Sequence, residues 1–329
     1  MLLSSILIKA VFSFLYRVSL VISLVILLAA CGGGTPTPDP ATPTVDTSSQ
    51  SSTAESDTVR IGLSISNLAN PFFASLQEGA AEAADRLGVT LLVEDAADDA
   101  AAQAEQIQSL IDAGVNALLI NPVDSESITA SVETANAAGI PVFTIDRSAL
   151  GGEVVAHIAS DNRAGGEMAG DYLADILGES GNVVELKGIE GTSAAQDRGA
   201  GFNEALTAYE NITIIAAETA NFSREEGETV FAALLEANAD IDGVFAHNDE
   251  MILGAIEAAR AAGRLEEIRF VGFDAVDDAL TSLEAGELQA TIAQQPAEMG
   301  RLGVEVAVAY LNGESVAANI PVDLALITR

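Results

Sequence analysis

The chain has 329 residues, with 14 basic and 49 acidic side chains, a net charge of −35, one cysteine and two histidines. That length makes one large domain or two ordinary ones. The acid excess repels a nucleic-acid phosphate backbone and an anionic lipid surface alike, and a lone cysteine excludes an internal disulfide.

In chain order, residues 1–30 come first, apolar with only Lys9 and Arg17 charged. The charge-free stretch 18–30 is short for a membrane span and right for the core of a signal peptide. Its ending, Leu28-Ala29-Ala30-Cys31, resembles a bacterial lipobox, which implies cleavage before Cys31 and lipid attachment to its sulfur. The alternative is an uncleaved anchor helix with an incidental cysteine. Residues 31–57, rich in Gly, Thr, Pro and Ser, hold too little apolar surface to offset their chain entropy and read as a flexible tether. One reading of the acid excess is adaptation to high salt, where screening removes self-repulsion. The other is a lineage with acidic, Ala-rich proteins.

From residue 58 the pattern alternates. Short apolar runs at 61–65, 89–93, 117–120, 140–145, 154–158, 183–186, 212–216, 243–246, 269–273 and 290–293 predict strands. Between them, Phe73, Leu76, Ala80, Ala83 and Leu87 recur at spacings of three and four, one face of a helix that Gly88 ends. Further helices are expected around Ile107, Leu110 and Ile111, and over 129–138, 164–177, 195–209, 224–236, 250–262, 277–285 and 297–311. Such alternation predicts an α/β fold, with parallel sheets covered by helices on both faces. Two units of a little over a hundred residues fit the length better than one continuous sheet. A TIM barrel is the alternative, but it takes eight strand–helix pairs and this chain offers about ten strand candidates.

Seven of these runs stop at, or lead into, a hydrogen-bonding side chain: Ser66 and Asn70, Asn121, Asp146 and Arg147, Arg198, Asn248, Asp274 and Gln294. Ligands of open α/β sheets bind beyond the carboxyl ends of the strands, so these residues form a candidate binding rim. A bland alternative for Asp274 is a cap on the helix near Asp277. The apparatus of a reaction is missing. His157 and His247 lack metal-ligand spacing and read as packing groups or supports behind other residues. No Gly-x-Ser-x-Gly elbow and no phosphate-binding glycine loop with lysine is present. We therefore expect no catalytic residue, no metal and no cofactor. The paired acids Asp98-Asp99 and Asp277-Asp278 read as solvated faces.

Nine segments in order resemble the periplasmic ribose-binding proteins. They begin with Ser66-Asn67-Leu68-Ala69-Asn70-Pro71-Phe72-Phe73 and continue through Leu119-Ile120-Asn121-Pro122, Ile145-Asp146-Arg147 and His157-Ile158-Ala159-Ser160-Asp161-Asn162. They run on through Gly191-Thr192-Ser193-Ala194-Ala195 with Arg198, and Phe245-Ala246-His247-Asn248-Asp249-Glu250-Met251. Gly272-Phe273-Asp274, Thr291-Ile292-Ala293-Gln294 and Pro321-Val322-Asp323-Leu324 complete them. The resemblance implies the type I periplasmic binding protein fold, two Rossmann-like lobes joined by a three-strand hinge. The lobes would be 58–160 plus 295–322 and 161–294 plus 323–329.

It also implies a function: a sugar-binding lipoprotein of a bacterial ABC importer, holding a monosaccharide, ribose first, between lobes that close, and delivering it to a membrane permease. The protein would be exported, in the periplasm or on the outer face of the cytoplasmic membrane, anchored through Cys31 and monomeric. Phe72, Phe73 and Phe222 would be flat apolar plates for the sugar, with core packing the bland alternative for each. Asp146 and Asp274 would accept hydroxyls, Arg147 and Arg198 would donate, and Ser66, Asn70, Asn121, Asn248 and Gln294 would add polar contacts. The chain lacks tryptophan, which modestly favours a smaller sugar. A sensor coupled to a chemoreceptor is an alternative, and a sugar-modifying enzyme a weaker one. A regulator of the lac-repressor type shares the two-lobe core but needs a basic helix-turn-helix where this chain has a signal and linker.

Overall fold

The computed structural model describes residues 58–329; the segments expected to be a signal peptide and a tether, with Cys31, lie outside the described residues. The elements run β1(Arg60–Ile65) α1(Pro71–Leu87) β2(Thr90–Asp95) α2(Ala100–Asp112) β3(Ala117–Ile120) α3(Thr129–Ala137) β4(Val142–Ile145) β5(Val154–Ser160) α4(Asn162–Ile176) β6(Ser180–Lys187) α5(Ser193–Leu206) β7(Asn211–Thr219). They continue α6(Arg224–Ala237) β8(Gly243–Ala246) α7(Asp249–Ala261) β9(Arg269–Asp274) α8(Asp277–Ala285) β10(Ala290–Ala293) α9(Pro296–Leu311) β11(Asn319–Val322) β12(Ala325–Thr328).

Two six-stranded sheets result, ordered β11-β5-β4-β3-β1-β2 and β12-β10-β9-β8-β6-β7. Every strand pairing is parallel except β10 with β12. The chain passes between the sheets three times: from β5 to α4, from β10 to α9, and from β11 to β12. The fold is thus two Rossmann-like lobes joined by three crossings. Apolar side chains pack on both faces of each sheet. In the first lobe, one cluster joins α1 and α9 to the sheet and another joins α2 and α3. In the second, one cluster lies under α6, α7 and α8 and another under α4 and α5.

The ten strands and nine helices read from periodicity are present, most within three residues of their expected ends. The last two strands carry no periodic signal. β11 and β12 are sheet edges, with alternate or continuous exposure, and Pro321 sits in β11 where one side needs no ladder partner. Of the α1 stripe, Phe73, Leu76, Ala80 and Ala83 are buried, but Leu87 is 41% exposed, because the helix turns away at the left-handed Gly88 (φ 68°).

Three helix pairs approach backbone to backbone through facing glycines. A β-carbon on Gly79 would collide with the Ala297 carbonyl, and one on Gly300 with the Leu76 carbonyl, joining α1 to α9. Gly166 and Gly201 face Arg198 and Arg163 carbonyls between α4 and α5, and Gly227 and Gly254 do the same between α6 and α7.

Candidate ligand-binding site

The carboxyl ends of the two sheets face one another across a narrow cleft. It is lined by Asn70, Phe72, Phe73, Asp146 and Arg147 from the first lobe, Ala194, Arg198, Phe222, Asn248 and Asp274 from the second, and Gln294 at a crossing. Ten of the twelve residues expected from the sequence are brought together here. Ala194 joins them; a small apolar side chain gives no chemical signal by which sequence could find it.

The other two stand behind the lining. Asn121 is fully buried, accepts from the Ser66 amide at 3.2 Å, and donates to the Ile145 carbonyl and to Asp146 Oδ2, both at 3.2 Å. It thereby fixes the Asp146 carboxylate. Gln103, unforeseen, donates to the Asn121 carbonyl at 2.9 Å and accepts from the Val123 amide at 2.9 Å. Ser66 is fully buried, and its hydroxyl has no partner among the described residues.

Both arginines are buried and held from behind. Arg147 donates to the Pro122 carbonyl at 3.1 Å, with its guanidinium carbon 5.1 Å from the Phe73 ring centre and 5.2 Å from that of Phe222. Arg198 donates through Nε to Asn162 Oδ1 at 2.7 Å and through Nη1 to the His247 carbonyl at 2.6 Å, and lies 3.8 Å from the Phe273 ring centre. Each faces a carboxylate just outside hydrogen-bond range: Arg147 Nε is 3.7 Å from Asp146, and Arg198 Nη1 is 3.6 Å from Asp274. Burial pulls both guanidinium groups down from their usual pKa, while the neighbouring carboxylates oppose it. Phe72 and Phe73 meet edge to face, 5.2 Å between centres, and belong to the core cluster while also lining the cleft.

Asp274 receives Gln294 Nε2 at 2.8 Å and does not cap α8, whose N-cap position is Val276 with no side-chain bond. The cap alternative therefore falls. Burial pushes the Asp274 carboxyl up to about 7, against the opposing pull of Arg198 and the Gln294 bond. The lining is also conformationally strained. Asp146 (φ 64°), Phe222 (φ 59°) and Asp274 (φ 120°) occupy backbone regions that favour glycine, as do Asn221 and Ala275 beside them. Asn70 and Asn248 use their carbonyls to cap α1 and α7, accepting from the Phe72 and Met251 amides at 3.0 Å. Asn248 also donates to the Phe222 carbonyl at 3.2 Å, fixing the strained Phe222 loop.

His247 supports rather than lines the cleft. Its Nδ1 accepts from the Gly188 amide at 3.3 Å, so Nε2 carries the proton and donates to Glu185 Oε1 at 2.8 Å. Burial lowers its pKa. Neither Glu185, inside β6 and also accepting from Asn203 at 3.0 Å, nor Asn162, which opens α4 where a polar residue reads as an ordinary helix start, was foreseen. His157 pairs with the Thr144 hydroxyl at 2.9 Å. Among the described residues no cluster of three His, Cys, Asp or Glu side chains could hold a metal ion.

Two wider openings share lining with the cleft. One, beside the crossings, is bounded by Phe72, Glu78, Glu250, Asp274, Asp277 and Gln294; the other by Asn67, Asp98, Arg147, Phe222 and Arg224. The loops after β3 and β6 instead meet directly. The Ser125 amide donates to the Gly191 carbonyl at 2.9 Å, the Ser193 amide to Ser125 Oγ at 3.1 Å, and the Ser148 amide to Ser193 Oγ at 2.9 Å. The lobes are thus latched along one side and open along the other.

A family model described as periplasmic binding protein domain matches residues 61–315. The ribose import binding protein RbsB of Salmonella typhimurium is 48% identical over 269 residues, covering 82% of this chain and 90% of its own length. The protein of the same name from Bacillus subtilis is 46% identical over 269 residues, 82% of this chain and 87% of its own. Among solved structures, an ABC transporter solute binding protein from Bacillus halodurans with bound myo-inositol superposes with a TM-score of 0.80 at 32% identity, covering 84% of this chain and 96% of its own.

Proposed function

The chain belongs to the periplasmic binding protein family, and from that membership we propose that it is the ribose-binding component of an ABC importer. It is exported, takes its sugar outside the cytoplasm and presents it to a membrane permease. The observation that carries the reading is the convergence of carboxylates, guanidiniums and phenyl rings from both lobes on one cleft.

The residues divide the work. Phe72 and Phe73 on one lobe and Phe222 on the other cover the C–H faces of the ring. Asp146 and Asp274 accept from hydroxyls, and Arg147 and Arg198 donate to hydroxyl and ring oxygens while compensating those carboxylates. Two buried atoms without partners, Arg147 Nε and Gln294 Oε1, supply a free donor and a free acceptor. Because ligand groups come from both lobes, the sugar binds the closed form better than an open one and shifts the population towards it. The cleft binds and returns the sugar unaltered. The protein acts as a monomer, tethered to the membrane by lipid on Cys31.

Calorimetry against a panel of pentoses and hexoses tests this. We expect one site per chain, ribose tightest, and quantitative recovery of unchanged sugar; absence of heat with every sugar refutes the reading.

A further inference from the structure

We propose that Asp249 and Thr291, which do not line the cleft, hold the strained turn that aims the Asp274 carboxylate, and so set the affinity of the site. The inference rests on the reading of the cleft as a sugar site.

Asp274 and Ala275 are consecutive residues at φ 120° and φ 59°, and neither is glycine. Such backbone persists only where its surroundings over-determine it. Here the determination comes from two fully buried side chains. Thr291 Oγ1 accepts from the Ala275 amide at 3.2 Å, and Asp249 Oδ2 accepts from the Val276 amide at 3.0 Å. The two are joined, since the Thr291 hydroxyl donates to Asp249 Oδ1 at 2.8 Å. The first residue of α7, the second of β10 and the turn after β9 thus form one closed hydrogen-bonded unit.

The strand beside it is shaped for this unit. A β-carbon on Gly272 would collide with Asp249 Oδ1, so β9 carries a glycine where the carboxylate passes. With the turn fixed, only the Asp274 side chain remains to be oriented, and Gln294 Nε2 does that at 2.8 Å.

The ionisable groups that act on Asp249 are Asp274 from β9 and Arg198 from α5, while Asp146 across the cleft and Glu250, which pairs with Arg224, act on Asp274. Burial raises the Asp249 carboxyl well above its usual value, and the Asp274 charge raises it further.

The test compares Thr291→Val, Asp249→Ala and Asp249→Asn with the wild type, using calorimetry with ribose at pH 8 and amide hydrogen exchange of Ala275 and Val276. Thr291→Val is expected to weaken ribose at least tenfold at pH 8 and to release the Ala275 amide to exchange at least tenfold faster. Asp249→Asn, which keeps an acceptor for the Val276 amide, is expected to bind more tightly than Asp249→Ala. That rescue by the isosteric side chain is one that loss of packing alone would not produce. Should Asp249→Ala not fold, Thr291→Val and Asp249→Asn decide alone. Wild-type affinity and exchange in Thr291→Val, or equal affinities in Asp249→Asn and Asp249→Ala, overturns the proposal. If the wild type binds no pentose, the sugar reading is lost, and the exchange of Ala275 still reports whether the turn is held as described.

Discussion

Arg147 and Arg198 are the most informative side chains in the molecule. Two guanidiniums are buried against two carboxylates that sit 3.6–3.7 Å away, close enough to compensate charge and too far for full hydrogen bonds. A hydrogen bond to a charged group contributes roughly 1.5–3 kcal/mol. Asp146→Ala, Arg198→Ala and Asp274→Ala should each weaken sugar binding at least tenfold, about 1.4 kcal/mol, in calorimetry at pH 8. Asp274 adds a pH signature. Its folded-state pKa, about 7, is raised above the usual 3.8, so its contribution to stability is present in acid and lost as pH rises through about 7. In thermal melts of the ligand-free protein, Asp274→Asn should remove part of the stability gained between pH 8 and pH 5. Sugar hydroxyls donate to the ionised carboxylate, so affinity should fall as pH drops through about 7 in the wild type and not in that variant. At this scale the sequence was readable wherever a polar residue follows an apolar run, as with Asp146 and Asp274. It was silent for Gln103 and Glu185, which act from inside a helix and a strand, and for Asn162 and Asp249, which open α4 and α7 where a polar side chain reads as an ordinary helix start.

Elements place these residues through glycine. Arg198 lies on α5, and its own carbonyl is what a β-carbon at Gly166 would strike. The spacing between α4 and α5 therefore sets where the guanidinium reaches. Gly201→Ala, against the Arg163 carbonyl, should cost about 1–3 kcal/mol by overpacking, read as a lower urea midpoint. It should also weaken sugar binding by displacing Arg198. Gly263→Ala, where no atom lies within 4 Å but φ is +72°, should lower stability through backbone strain alone and leave sugar affinity unchanged. The central strands were legible because they are buried on both faces and read as unbroken apolar runs, as in β3, β4 and β8. β11 and β12 were not, since an edge strand needs neither apolar alternation nor a full set of amides. The glycine pairs were invisible for a different reason: close helix approach is a property of two distant segments, and neither carries it alone.

In the proposed function the two lobes close on the sugar, and their contacts are unequal on the two sides of the cleft. Three hydrogen bonds among Ser125, Ser148, Gly191 and Ser193 join the lobes on one side, while acid-lined openings remain on the other. The three crossings allow the lobes to swing, and residues on both walls reward closure only when a ligand bridges them. Small-angle scattering with and without ribose, paired with calorimetry on the same sample, tests this most directly. The account predicts a smaller radius of gyration and one mole of heat-releasing site per chain when ribose is present. Identical scattering curves with no heat from any pentose or hexose would contradict it.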